Sequence, residues 1–192
     1  IHQIGTGQLA LLGQGSKRLS EALHETGYAM HCKGMEFPAY LPQTNPGYPW
    51  ALAGGHMSMR TYLLLLMERE VSLDYWVDAI TKRGPLIMRD DMLGVCKFAG
   101  LCGEHMASAV NMFTELAVTE KDLEEAVMRA FLRGYKLERK QGFGIDDYVM
   151  PEEVHGDYPQ IELPKINQKE FFLELREKVV STFDKMLDSA GV

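Results

Sequence analysis

Thr119-Glu120-Lys121-Asp122-Leu123 opens a run of sequence that does not break until Lys140-Gln141-Gly142. Thr119 suits the N-cap of a helix, and glycine suits the position just past a helix end. Between them Leu123, Ala126, Val127, Ala130 and Leu137 recur at helical spacing and form one apolar stripe. A second such helix is expected from Asn167, as its cap, through Leu187. Phe171, Phe172, Leu175, Val179, Phe183 and Leu187 make its buried face. These two segments set the fold class: all-α.

Working outward, Gly5 to Gly15 is apolar with four glycines and leads into a helix capped by Ser16. Leu19, Ala22 and Leu23 are its expected buried stripe and Gly27 its C-terminal stop. Residues 28–56 read differently. A short extended piece fits Met35 to Phe37, after which Pro42, Pro46, Gly47 and Pro49 break regular structure as far as Gly54-Gly55-His56. Loops of this length are often functional. Helices follow over Met59 to Glu70 and Leu73 to Lys82, the second capped by Ser72 or Asp74. Gly84-Pro85 breaks the chain and starts a helix running from Leu86 to about Lys97. Another spans Gly103 to Leu116, with Met106, Val110, Met112 and Phe113 on one side. Residues 143–166 are an acidic, proline-punctuated connection. The expected architecture is an irregular helical bundle with one long Pro/Gly-rich loop. Residues 1–27 would close a preceding helical domain, and 28–192 would form a C-terminal helical domain of a larger enzyme. The opening Ile1-His2-Gln3-Ile4-Gly5 lacks an initiator Met and suggests the C-terminal portion of a longer polypeptide.

The 192 residues carry a formal charge of −7, with a pI near 5.4. No surface of such a chain neutralises a run of phosphates, so nucleic acid is not an expected partner. The longest apolar run, Tyr62 to Met67, is far too short to span a bilayer, and no secretory signal is seen. Three cysteines without a CxxC pair make neither a disulfide framework nor a zinc site, which points to a reducing, cytoplasmic setting.

Candidate chemistry centres on Asp90-Asp91-Met92-Leu93-Gly94-Val95-Cys96-Lys97-Phe98. A carboxylate and a thiol five positions apart could be a polar helix start and a buried core cysteine. They could also serve a cofactor, Asp91 meeting polar ring nitrogens and Cys96 supplying one ligand of a metal cluster. His56, after Gly54-Gly55 at the end of the long loop, is a natural proton carrier or a helix-start histidine satisfied by its own backbone. His31 and Cys32 would point to opposite sides of an extended piece and so do not chelate one metal. Glu104-His105 lacks the second histidine of a zincin helix. Cys102 is expected to pack, and the twelve methionines to fill the core.

A wider order of motifs carries a resemblance. Lys17-Arg18 on a helix is followed by His31-Cys32-Lys33-Gly34-Met35-Glu36-Phe37-Pro38-Ala39-Tyr40, then by Gly54-Gly55-His56. Asp91-x-x-Gly94-Val95-Cys96-x-Phe98 comes next, then Thr119-Glu120-x-Asp122 opening the helix that ends in Gly142-Phe143. This order resembles the C-terminal helical region of the aldehyde:ferredoxin oxidoreductase family, the tungsten-bispterin enzymes, over about residues 5–155. The resemblance implies that Asp91 binds a pterin and that Val95 gives it a backbone contact. It makes Cys96 the fourth ligand of a 4Fe-4S cluster whose other three come from an upstream CxxCxxxC segment, in N-terminal domains of the same polypeptide. It places His56 near a tungsten or molybdenum ion as a proton donor or acceptor, and ferredoxin or an electron-transfer subunit as the electron acceptor. Trp50-Ala51-Leu52-Ala53-Gly54-Gly55 departs from the Asn-Arg-Gly-containing run usual before that histidine in aldehyde-oxidising members. The substrate therefore stays open between an aldehyde and an aromatic acyl-CoA (the class II benzoyl-CoA reductase branch), for which Tyr48-Pro49-Trp50 would be a suitable apolar wall. A helical packing module without cofactor contact is the competing reading from another class.

Overall fold

The computed structural model describes residues 1–37, 45–52, 72–96, 99–155 and 168–191, the Tyr28 side chain aside. His56 with Gly54-Gly55, the helix expected over Met59 to Glu70, Pro38 to Tyr40, Phe98 and Asn167 all lie outside the described residues. Within them run α1 (His2–Gly5), α2 (Gly15–Leu23), β1 (His31–Cys32), β2 (Met35–Glu36), α3 (Leu73–Asp78), α4 (Met88–Met92), α5 (Gly103–Phe113), α6 (Glu120–Lys140) and α7 (Lys169–Ala190). The class is all-α as expected, with β1 and β2 pairing in one small antiparallel hairpin.

Helix α6 starts where the sequence puts it. The Thr119 hydroxyl accepts from the Asp122 amide at 3.3 Å, and the Asp122 carboxylate accepts from the Thr119 amide at 2.7 Å. These reciprocal bonds satisfy two amides that no helical turn can reach. The Thr119 hydroxyl also donates to the Asp122 carboxylate at 2.6 Å, and this bond first, with the amide bond second, holds the Asp122 carboxyl below the usual carboxylate range. Acids in the first turn and Arg139-Lys140 in the last complement the helix dipole. The buried face is Val127, Phe131, Leu132, Tyr135 and Glu138. Leu137, expected on the stripe, is 56% exposed, because it lies two residues past Tyr135 and so on the far side of the helix.

Helix α7 buries Phe172, Leu175, Val179, Val180 and Phe183, with Phe171 and Leu187 half-buried. Its N-cap is Gln168, one residue later than expected. Phe183 packs at 4.9 Å from Phe131 and 5.4 Å from Tyr135. The Tyr135 hydroxyl donates to Asp184 at 2.9 Å and fixes the register of the two helices. Pro49 and its neighbours close the other side of this core. Trp50 stacks on Tyr148 at 5.7 Å and 9° and tilts against Phe172, while Tyr48 stacks on Phe37. Residues 45–51 are all buried. Tyr48-Pro49-Trp50 is therefore part of the core, which removes it as an apolar wall for substrate.

Other boundaries move for physical reasons. Helix α2 begins at Gly15 rather than after Ser16, and the Glu36 carboxylate accepts from the Ser16 amide at 2.6 Å. The cap comes from the hairpin, twenty residues on, and not from a neighbouring side chain. The helix stops at His24, which is left-handed at φ 58°, ahead of the expected Gly27. Ser20 is its buried residue, and Leu23 is exposed. Ser72 does cap α3, accepting from the Tyr75 amide at 3.3 Å. After Asp78 the winding widens to a π-turn over Ala79–Arg83, then tightens to a 3-10 turn over Gly84–Ile87 that leads into α4. That helix ends at Met92, well short of Lys97. Helix α5 ends at Phe113, before Leu116, and only Gly103, Met106 and Ala107 are buried on it. Met112 and Phe113 are exposed, and Asn111 exchanges two 2.8 Å hydrogen bonds with Val118, just beyond the helix.

Candidate functional site

The Asp91–Cys96 spacing has a simple geometric origin. Leu93 is the C-cap of α4, and Gly94 follows in the left-handed conformation at φ +68°. The Val95 amide donates to the Asp90 carbonyl at 2.8 Å and the Gly94 amide to the Asp91 carbonyl at 3.1 Å. This is a Schellman turn, which ties off the last helical carbonyls and needs glycine where φ is positive. The apolar position after the glycine, Val95, is half-buried. Cys96 then emerges exposed, and the Asp91 side chain is exposed one turn before it. Neither the Asp91 carboxylate nor the Cys96 thiol engages a side chain among the described residues. The reading of Cys96 as a buried core cysteine therefore fails, and acid and thiol are both displayed.

Beneath the turn lies a buried arginine. The Arg89 side chain is 5% exposed, and its guanidinium has partners on its own helix and on two other segments. It lies 3.4 Å from the Asp90 carboxylate, donates to the Leu101 carbonyl at 3.4 Å, and stands 3.8 Å from the Glu120 carboxylate. Glu120 gets there by crossing the start of α5. A Cβ on Gly103 would come within 2.0 Å of the Glu120 carboxylate, so any side chain there would displace Glu120 from this position. Sequence patterns put weight on Asp90 and Asp91 and passed over Arg89. The one available signal was an arginine immediately before two acids, which ordinarily marks a solvated helix face.

A second charged network is sealed in the core. Lys33, 1% exposed, donates to Glu138 at 2.7 Å and to the Ala51 carbonyl at 3.4 Å, and its ammonium sits 4.8 Å from the Tyr148 ring centre. The Tyr148 hydroxyl donates to the other Glu138 oxygen at 3.0 Å. Burial and the Glu138 carboxylate raise the Tyr148 phenol far above its ordinary value, and burial does the same for Tyr135. The Lys33-Gly34-Met35-Glu36 run thus has structural work at both charged ends: Lys33 ties the hairpin to α6, and Glu36 caps α2. Its partners lie too far along the chain to be read from local pattern.

The remaining candidates separate cleanly. Cys32 is the buried cysteine; it donates to the Asp147 carbonyl at 3.1 Å, and burial pushes its thiol up to about 11. Such a thiol is inert near neutrality. His31 is half-buried and its imidazole is held below its usual value, burial being the first cause and Lys17 the second. Cys102, expected to pack, is exposed. Glu104 and His105 are exposed, and no group of three metal-binding side chains exists among the described residues. No described helix is long and apolar enough to cross a membrane.

A free carboxylate and a free thiol on one rigid turn fit the edge of a cofactor site completed by other residues. They do not fit a self-contained one, since a single thiolate cannot hold a cubane cluster. Comparison with known proteins agrees with the motif order. The family model for aldehyde ferredoxin oxidoreductase, domains 2 & 3, matches residues 1–189. Neither the search of curated proteins nor that of solved structures gave a match. With the family model matching almost its whole length, the chain belongs to the aldehyde ferredoxin oxidoreductase family of oxidoreductases.

Proposed function

We propose that residues 1–192 form part of an enzyme that oxidises aldehydes to carboxylic acids and passes the electrons to ferredoxin or an electron-transfer subunit. In this reading residues 1–27 end one helical domain and 28–192 form the next. Asp91 hydrogen-bonds a pterin of a tungsten- or molybdenum-bispterin, the Val95 backbone adds a contact, and Cys96 ligates a 4Fe-4S cluster. The other cluster ligands come from elsewhere in the same polypeptide, which is consistent with a family model that describes only domains 2 and 3. The bound metal–pterin group supplies the two-electron redox chemistry that side chains lack. The chain's own part is placement. The α4 turn holds carboxylate and thiol in fixed relation, so that a cluster on Cys96 stays within electron-transfer reach of a pterin on Asp91. His56 accepts or returns a proton as the aldehyde carbon gains an oxygen from water and gives up two electrons.

The observation that carries this reading is the open Schellman turn, with Asp91 and Cys96 both exposed and free on a scaffold tied to a buried arginine. The acyl-CoA alternative loses its apolar wall, because Tyr48-Pro49-Trp50 is buried against Phe37, Tyr148 and Phe172, and keeps only the departure over residues 50–55 in its favour. The test uses the full-length protein prepared without oxygen. Cys96→Ser is expected to lower iron per chain while the helical circular dichroism stays unchanged. Wild-type iron in that variant would remove the cluster role and favour a packing module. Turnover of an aromatic acyl-CoA without turnover of any aldehyde would replace the substrate assignment.

A further inference from the structure

We infer that Arg89 is a positioning residue for the cofactor-facing turn, holding Val95 and Cys96 in place through three contacts at once. The inference deepens the reading above, since it rests on Cys96 being a ligand. Arg89 stands on α4, at the N-terminal side of the 91–101 segment, and donates to Leu101 at its far end. One guanidinium therefore pins both ends of the stretch that displays Asp91, Val95 and Cys96. Its third arm faces Glu120, the first residue of α6, so the segment is referenced to the longest helix near the site. A planar fork can serve three directions at once, whereas an ammonium is a point charge on a flexible stem. Burial adds to the argument. A guanidinium that is 5% exposed must keep its partners, because an uncompensated buried charge is costly. Any shift of Leu101 or Glu120 would take a partner away from this buried charge. The turn above cannot drift without that cost. Gly103 belongs to the same device, as its missing side chain is what lets Glu120 reach across.

Two backbone bonds report on the turn directly: the Val95 amide to Asp90 and the Ala99 amide to Cys96, each at 2.8 Å. The test compares Arg89→Gln, Arg89→Lys and Gly103→Ala with the parent in the full-length protein, with the metal removed and with it present. In the metal-free protein, hydrogen exchange at Val95 and Ala99 should rise at least tenfold in Arg89→Gln, less in Arg89→Lys, with Phe131 and Val179 unchanged. Gly103→Ala displaces Glu120 without touching Arg89, should give the same pattern more weakly, and carries the test if Arg89→Gln does not fold. In the loaded protein, the electron paramagnetic resonance signal of the reduced cluster should broaden in Arg89→Gln. Unchanged exchange at Val95 and Ala99, or a rise equal to that at Phe131 and Val179, would overturn the positioning role. The ligand assignment fails separately, if Cys96→Ser keeps its iron.

Discussion

Lys33–Glu138–Tyr148 and Arg89–Asp90–Glu120 are both ionic networks around a buried cation, yet only the second lies beneath side chains left unengaged among the described residues. In the first, every charged atom is spent on another part of the same core: hairpin, residues 45–52, α6 and the turn before Met150. In the second, the charges hold a backbone turn whose outward groups, Asp91 and Cys96, are left unengaged. A closed network marks where the chain is fastened, and a closed network under an open turn marks where it presents chemistry.

The comparison can be broken from the sealed side first. Lys33→Met leaves the Glu138 carboxylate buried opposite an apolar side chain, and should cost about 3–5 kcal/mol of unfolding free energy. Adding Glu138→Leu should return part of that loss, and denaturant titration of single and double variants measures both. A loss under about 1 kcal/mol would show that the pair is not a fastening point. The same region sets the alkaline limit. Tyr135 and Tyr148 have raised values in the folded chain, so above about pH 10, the ordinary tyrosine value, the unfolded chain releases protons that the folded one keeps. Stability contributed by the neutral phenols is therefore complete below that pH and lost above it. Melting temperature should hold to about pH 9 and fall beyond 10; a flat profile to pH 11 would contradict the burial of both phenols. On the open side the expected effect is smaller. Gly94→Ala meets no atom within 4 Å among the described residues, so its cost there is the left-handed backbone, about 1–2 kcal/mol. Iron content should nonetheless fall in the full-length protein, because Cys96 follows that turn. Unaltered iron with the expected loss of stability would separate the turn from the cluster.

Much of the fold was legible because it follows local rules. The Thr119 cap, the stop at Gly142 and the buried face of α7 needed only side-chain chemistry and helical periodicity. What escaped depended on distant partners. The Ser16 amide is capped by Glu36, and Lys33 finds its acid 105 residues away. Leu137 and Met112 looked like core residues because apolarity was visible and orientation was not. At the site, the order Asp91, Gly94, Cys96 was readable as a motif, but its cause, a helix C-cap with positive φ at Gly94, was not. The arginine below it had only the signature of an arginine before two acids, which ordinarily marks a solvated helix face.

Differential alkylation of the cysteines in the full-length protein tests the account most directly, in loaded protein and after the cluster is stripped. Cys32, buried and with its thiol pushed up to about 11, should stay unlabelled near pH 7 in both and serves as the internal control. Cys96 should be protected in the loaded protein and labelled after stripping. Equal labelling of Cys96 in the two states, with Cys32 still protected, would contradict its place at the cofactor.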